Sequence, residues 1–145
     1  MRAVVRGVIA SAALLAGCVF GFRSEAEVEA TYPLEDVLAV RVDLPATPMA
    51  VIGDPEAVGL ELRGEWRATG GNAEVAKANA RTPRLVWEQS GSFAELRASV
   101  PLAVDGQVDL EIEELRLPPG RDLELRTELG DVSIVGVESN LGVDV

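Results

Sequence analysis

The sequence predicts an all-β domain, a strand-rich sandwich or solenoid-like fold carrying one short helix. Three observations predict it. Apolar and polar residues alternate in short runs along most of the chain, the pattern of strands with one face buried. Turn formers interrupt those runs at short intervals: Gly53-Asp54-Pro55, Gly70-Gly71, Ser90-Gly91-Ser92, Asp105-Gly106, Pro118-Pro119-Gly120 and Gly130-Asp131. Two segments also align without a gap when the chain is shifted by 83 residues, Val40 falling on Leu123, as expected of a strand-turn unit used twice.

The first element is not part of that domain. Met1–Arg6 carries two arginines, an uncharged and mainly apolar run follows from Gly7 to Leu15, and Ala16-Gly17 leads to Cys18. A basic start, a short apolar run and a small-residue cleavage site make an export signal. The run is too short to cross a hydrocarbon core, which needs about 20 residues. Leu15-Ala16-Gly17-Cys18 resembles the bacterial lipobox. The resemblance implies cleavage between Gly17 and Cys18 and a diacylglyceryl thioether on Cys18. At about 0.8 kcal/mol per buried CH₂, two or three acyl chains hold far more firmly than one. Val19 rather than Asp follows the cysteine, which by the same resemblance favours the outer membrane where a cell has two. The expected organisation is signal 1–17, lipidated tether 18–27 and β-rich domain 28–145.

Within the domain the expected strands centre on Val28, Ala30 and Tyr32; Leu38, Val40, Val42 and Leu44; Val58, Leu60, Leu62 and Trp66; Leu96, Ala98 and Val100; Val108, Leu110 and Ile112; Leu123 and Leu125; Val132 and Ile134; and Leu141, Val143 and Val145. Asn72 to Arg81 is different: Ala-rich, with Asn72 placed to cap it and Pro83 to stop it, it predicts a helix. So short a helix needs packing to persist, expected through Val75 and Ala78, and it serves as a crossover between two strands.

The repeat matches three pieces. Val40-Arg41-Val42 falls on Leu123-Glu124-Leu125, Met49–Gly53 on Val132–Gly136, and Val58–Leu62 on Leu141–Val145, with Gly53 over Gly136 and Gly59 over Gly142. Stacked units of this kind bury their faces on each other. The last apolar segment, ending at Val145, leaves an uncovered edge. Either the natural chain is expected to continue past Val145 or a protein partner to cover that edge, a truncated or shortened chain being favoured.

The repeated Met49-Ala50-Val51-Ile52-Gly53 and Gly130-Asp131-Val132-Ser133-Ile134-Val135-Gly136 units, the Ala-rich stretch Ala73–Ala80 and the lead Leu117-Pro118-Pro119-Gly120-Arg121-Asp122-Leu123-Glu124-Leu125 resemble the bacterial family of auto-transporter adhesin head domains. These are β-solenoid-like proteins often attached to lipoprotein signals. The resemblance covers about residues 28–145 and implies no enzymatic activity and no catalytic residues. Family members continue through several more rungs, where this chain stops at the first.

Charge and residue content narrow the chemistry. The chain has 13 Lys+Arg, 24 Asp+Glu, one Cys and no His. Loss of Arg2 and Arg6 with the signal leaves 11 cations against 24 acids, a net of −13. That excludes a basic nucleic-acid footprint and electrostatic adsorption to anionic lipid. Without His there is no Ser-His-Asp or Cys-His catalysis and no His-ligated zinc. Asp109, Glu111 and Glu113, followed by Glu114, form a carboxylate run that suits either Ca²⁺ or a solvated strand face, and the latter is favoured. Paired carboxylates also admit sugar hydrolysis, though in so acidic a chain such pairs arise by accident. Trp66, Trp87 and Phe93 suit a sugar-stacking platform or, as favoured here, core and cross-strand packing. Lys77, the one lysine, is expected in solvent. The expectation is a membrane-anchored envelope lipoprotein with a structural or adhesive role, with no catalytic residues, no metal and no cofactor. The alternative is an interaction module that pairs through its C-terminal edge strand.

Overall fold

The computed structural model describes residues 4–13, 21–45, 49–127, 132–137 and 141–144. Cys18, Gly17 and the rest of the lipobox lie outside the described residues, as do the Gly130-Asp131 turn and Val145.

The domain is all-β, as expected, with eleven described strands and one helix. The strands are β1 (Val4–Ala13), β2 (Phe22–Tyr32), β3 (Ala39–Leu44), β4 (Met49–Gly53), β5 (Leu60–Gly70), β6 (Arg84–Ser90), β7 (Phe93–Ser99), β8 (Val108–Leu117), β9 (Asp122–Thr127), β10 (Val132–Val135) and β11 (Leu141–Asp144); α1 (Ala73–Arg81) follows β5. They form two sheets, in the orders β1-β2-β5-β8-β4-β10 and β11-β9-β3-β7-β6. One core joins the inner faces: Tyr32, Leu62, Trp66, Ile112 and Leu115 from the first sheet, and Val40, Val42, Leu96, Leu123 and Leu125 from the second.

Each sheet divides by strand direction. In the first, β1, β2, β5 and β8 are antiparallel, while β8, β4 and β10 run parallel. In the second, β11, β9, β3 and β7 are parallel and β6 returns antiparallel. The 83-residue repeat becomes strand pairing in the parallel parts: Val40 lies beside Leu123 and Val42 beside Leu125, and Val51 lies beside Ile134. The matched glycines meet. A Cβ on Gly53 would stand 2.0 Å from the Gly136 carbonyl oxygen, and Gly136 itself has φ +73°, so this step of the stack requires glycine.

The third repeated piece does not stack. β11 pairs with β9, not with β5, because one edge of β5 is taken up by β2, from Phe22 opposite Gly70 to Tyr32 opposite Leu60, and the other by β8. The same pairing starts β2 at Phe22, so Phe22–Glu27 belongs to a strand and not to the tether expected over 18–27. Val4–Ala13, within the expected signal segment, lies beside β2 as β1.

Irregularities reset the alternation where simple reading fails. Between Arg63 and Gly64 the β5–β8 register shifts: Arg63 faces Glu114 and Gly64 faces Ile112, leaving Glu113 as the extra residue. Leu110 and Ile112 point inward before the bulge, and Leu115 and Leu117 after it. Asp36 adopts φ +63°, so Val37 is buried and Leu38, expected in the strand, is exposed. Val58 and Val100, also expected in strands, are exposed and precede or follow them. In α1 the cap is as expected, Asn72 Oδ1 accepting from the Val75 N–H at 2.9 Å. The packed face differs: Ala76, Asn79 and Ala80 are buried, whereas Ala78 is exposed and Val75 half-buried.

Candidate functional site

The expected site is the lipid attachment at Cys18, outside the described residues. The next described residue, Gly21, has φ +65°, and a Cβ there would stand 2.7 Å from the Gly70 carbonyl oxygen, so β2 begins at the Gly70 end of β5.

Glu111, Glu113 and Glu114 of the acidic run of β8 pair with arginines of β5 and of β8 itself, while Asp109 is in no ion pair among the described residues. Glu111 pairs with Arg67 at 2.6 Å, Glu113 with Arg63 at 3.1 Å, and Glu114 with Arg116 at 2.7 Å. Arg67 also reaches Glu65 and Glu25, and Arg116 reaches Asp54 at 3.1 Å. The bulge puts Glu113 and Glu114 on the same arginine, Arg63. Among the described residues no group of three or more acidic or cysteine side chains converges as a metal-binding set. The second sheet carries a similar ladder. Arg41 on β3 bridges Glu95 on β7 at 3.4 Å and Glu124 on β9 at 3.1 Å, and Arg126 joins Glu124 at 2.9 Å. Arg41 therefore ties three parallel strands in register.

These partners move the carboxylates. The hydrogen bond from Arg116 is the main cause holding the Glu114 carboxyl below its usual range, against an opposing effect of burial. The hydrogen bond from Arg41 does the same for Glu124. Both act to keep the groups ionised, the opposite of the raised pKa a general acid needs. A 290 Å³ depression on the first sheet includes the paired Arg63, Glu114 and Arg116 in its wall, beside Glu29, Thr31 and Glu61.

The three aromatics do not share a surface. Trp66 is buried in the core, and Trp87 stacks on Tyr32 with ring centroids 4.9 Å apart. Phe93 lies on an outer face beneath the Arg41 guanidinium, 5.4 Å from its ring centroid. Burial pushes the Tyr32 hydroxyl up to about 12, and neither that hydroxyl nor Trp87 Nε1 has a hydrogen-bond partner among the described residues. Lys77 is half-buried on α1.

Sequence reasoning missed Asn79, a polar residue facing inward from an Ala-rich helix, and the loop it holds. The signal for that loop is the non-alternating apolar run Val100-Pro101-Leu102-Ala103-Val104.

No family model matches the chain, and no curated protein does. It is similar to the crystal structure of a provisionally named cell adhesion protein from Clostridium sporogenes, at 14% identity and a TM-score of 0.45, over 81% of this chain and 55% of that one. The chain thus spans about half the length of that protein.

Proposed function

We propose that this chain is a lipid-anchored protein of the bacterial cell envelope, outer membrane where there are two, whose all-β domain has a structural or adhesive role and no catalytic one. The observation that carries the proposal is the sequence Leu15-Ala16-Gly17-Cys18 behind a basic start and a short apolar run. Two features support it. The 11 cations against 24 acids that remain after Gly17 disfavour electrostatic adsorption to anionic lipid, so attachment would rest on covalent lipid. The outer faces of both sheets carry arginine–carboxylate ladders, which suit solvated strands that must not aggregate.

The test is lipid labelling in a bacterial host that processes lipoproteins. The wild-type chain is expected to incorporate a palmitate analogue and to partition into detergent, and Cys18→Ser to do neither. Label retained by Cys18→Ser, or absent from the wild type, would overturn the anchor.

A second reading is favoured by one observation: β11 lies at the edge of its sheet, and its described pairing is with β9 alone. A protein partner would add a strand there. Concentration-dependent association that disappears on deletion of residues 141–145 would support this reading, and association that survives the deletion would remove it.

A further inference from the structure

One end of the antiparallel strands carries an apolar loop held in a fixed position. β5 puts Gly70 at that end and Leu60 at the other, about 33 Å away at about 3.3 Å per residue. The β7–β8 connection lies at the Gly70 end. The Thr69 N–H donates to the Gln107 carbonyl at 2.9 Å, and the Gln107 N–H donates to Thr69 Oγ1 at 3.0 Å. Gly106 packs so tightly that a Cβ would stand 2.0 Å from the Thr69 carbonyl oxygen. Asn79, 7% exposed on α1, grips the middle of the connection. Its Nδ2 donates to Thr69 O at 2.8 Å and to Val104 O at 2.9 Å, and its Oδ1 accepts from the Val104 N–H at 3.1 Å. Yet the loop turns its apolar side chains outward: Leu102 is 99% exposed and Val104 61%, with Val100 exposed beside them. An open depression of 460 Å³ runs along Val100–Ala103 and Gly106–Asp109. A fixed loop that holds adjacent apolar side chains in water marks a contact surface.

Two independent observations name what it contacts. The first is the path of the chain. Phe22 is level with Gly70, Gly21 rests against Gly70, and Cys18 precedes Gly21 by three residues, within roughly 11 Å even if fully extended. The residue that would bear the lipid is tied to the loop's end of the domain.

The second is charge. Arg41, Arg63, Arg67, Arg97, Arg116 and Arg126 are in ion pairs. Among the described residues, Arg23, Lys77, Arg81, Arg84 and Arg121 are in none. Arg121 instead donates to the carbonyls of Leu34, Val37 and Pro119. The other four belong to the loop's end: Arg23 level with Thr69, Arg84 level with Ser99, and Lys77 and Arg81 on α1, the helix that grips the loop. The unpaired carboxylates of that end are Glu74, Asp105 and Asp109, with Asp43 and Asp144 level with Arg97 in the second sheet. On a strongly acidic chain, four of the five described cations outside ion pairs thus lie at the end with the apolar loop. An apolar tip flanked by Lys and Arg is the composition of a segment at a membrane interface.

We infer that Val100–Val104 inserts into the headgroup region of the membrane that holds the Cys18 lipid, so that the domain stands with this end down and the Val58 end outward. The inference rests on the lipid anchor proposed above.

The experiment uses the full lipidated chain reconstituted in phosphatidylethanolamine–phosphatidylglycerol vesicles, with an environment-sensitive fluorophore on Leu102→Cys or on Val58→Cys. Acylation of Cys18 leaves the introduced thiol as the one to label, and Val58 is 80% exposed at the far end. The label at 102 is expected to shift to the blue and to lose emission to nitroxide-bearing lipids, and the label at 58 to do neither. Water-like emission from both positions, on protein whose mass shows the acyl chains, overturns the insertion, leaves the anchor standing and returns the loop to a protein partner. A mass without acyl chains overturns the anchor and the inference together.

Discussion

The antiparallel strands β2, β5 and β8 and the parallel strands β3, β4, β9 and β10 contribute to one core by different means. In the antiparallel block, long strands pair along their length, an inserted residue at Glu113 shifts the phase, and a helix with an inward Asn closes one end. In the parallel block, short strands repeat at a fixed offset, like lies over like, and Arg41 on β3 reaches β9 on one side and the parallel β7 on the other. Register is therefore set by pairing length and a bulge in one block, and in the other by glycine contact and charge.

The largest effects should come from the shared core. Leu62→Ala in the antiparallel block and Leu125→Ala in the parallel block, both buried, are each expected to cost about 2–5 kcal/mol. Because both belong to one cluster, denaturant unfolding should remain a single transition in both variants. A second transition in Leu125→Ala alone would show that the two blocks unfold separately.

Gly53→Ala should come next. Its Cβ would meet the Gly136 carbonyl at 2.0 Å, and overpacking of this kind costs about 1–3 kcal/mol. Gly142→Ala, whose Cβ would meet only Glu124 Cγ at 3.9 Å, is the comparison and should be close to neutral. Equal thermal stability of the two variants would remove the glycine contact as a register device.

On the antiparallel side, Asn79→Ala strands the Thr69 and Val104 backbone groups it serves. Its expected cost is about 1–3 kcal/mol, with faster hydrogen exchange at Val104. Unchanged exchange there would mean that the loop is held by Gly106 and Gln107 alone.

The smallest effects are those of pH. Glu114 and Glu124 have pKa values lowered in the folded state. Their contribution is present above the unfolded carboxylate pKa and is lost as pH falls through the folded one. It is small, because ion pairs that remain in contact with solvent contribute little, and Glu124→Gln should remove its share from an acid titration of stability. Tyr32 has the opposite sign. Raised from 10.0 to about 12, it favours the fold at lower pH and should withdraw that support as pH rises across this interval. Tyr32→Phe should flatten the alkaline decline.

The parallel block was the more legible in sequence. Its repeat could be read from Val40, Val42 and Gly53 against Leu123, Leu125 and Gly136, because stacking places equivalent residues side by side. The third match, Val58–Leu62 on Leu141–Val145, misled, since alternation cannot show which neighbour a strand takes. In the antiparallel block the apolar phase was visible up to Ile112 and then lost, because a bulge adds a residue without adding a turn signal. The helix cap at Asn72 was legible as a local hydrogen bond; the inward face at Asn79 was not, because its partners Thr69 and Val104 are set by tertiary packing. The ladders were visible only as acidic alternation, since pairing depends on which strands become neighbours.

The most direct measurement is the intact mass of the protein extracted from the membrane of its own host. A lipid-anchored chain predicts a polypeptide that begins at Cys18 and carries two or three acyl chains. A polypeptide without acyl chains, or one that retains Met1–Gly17, would contradict it.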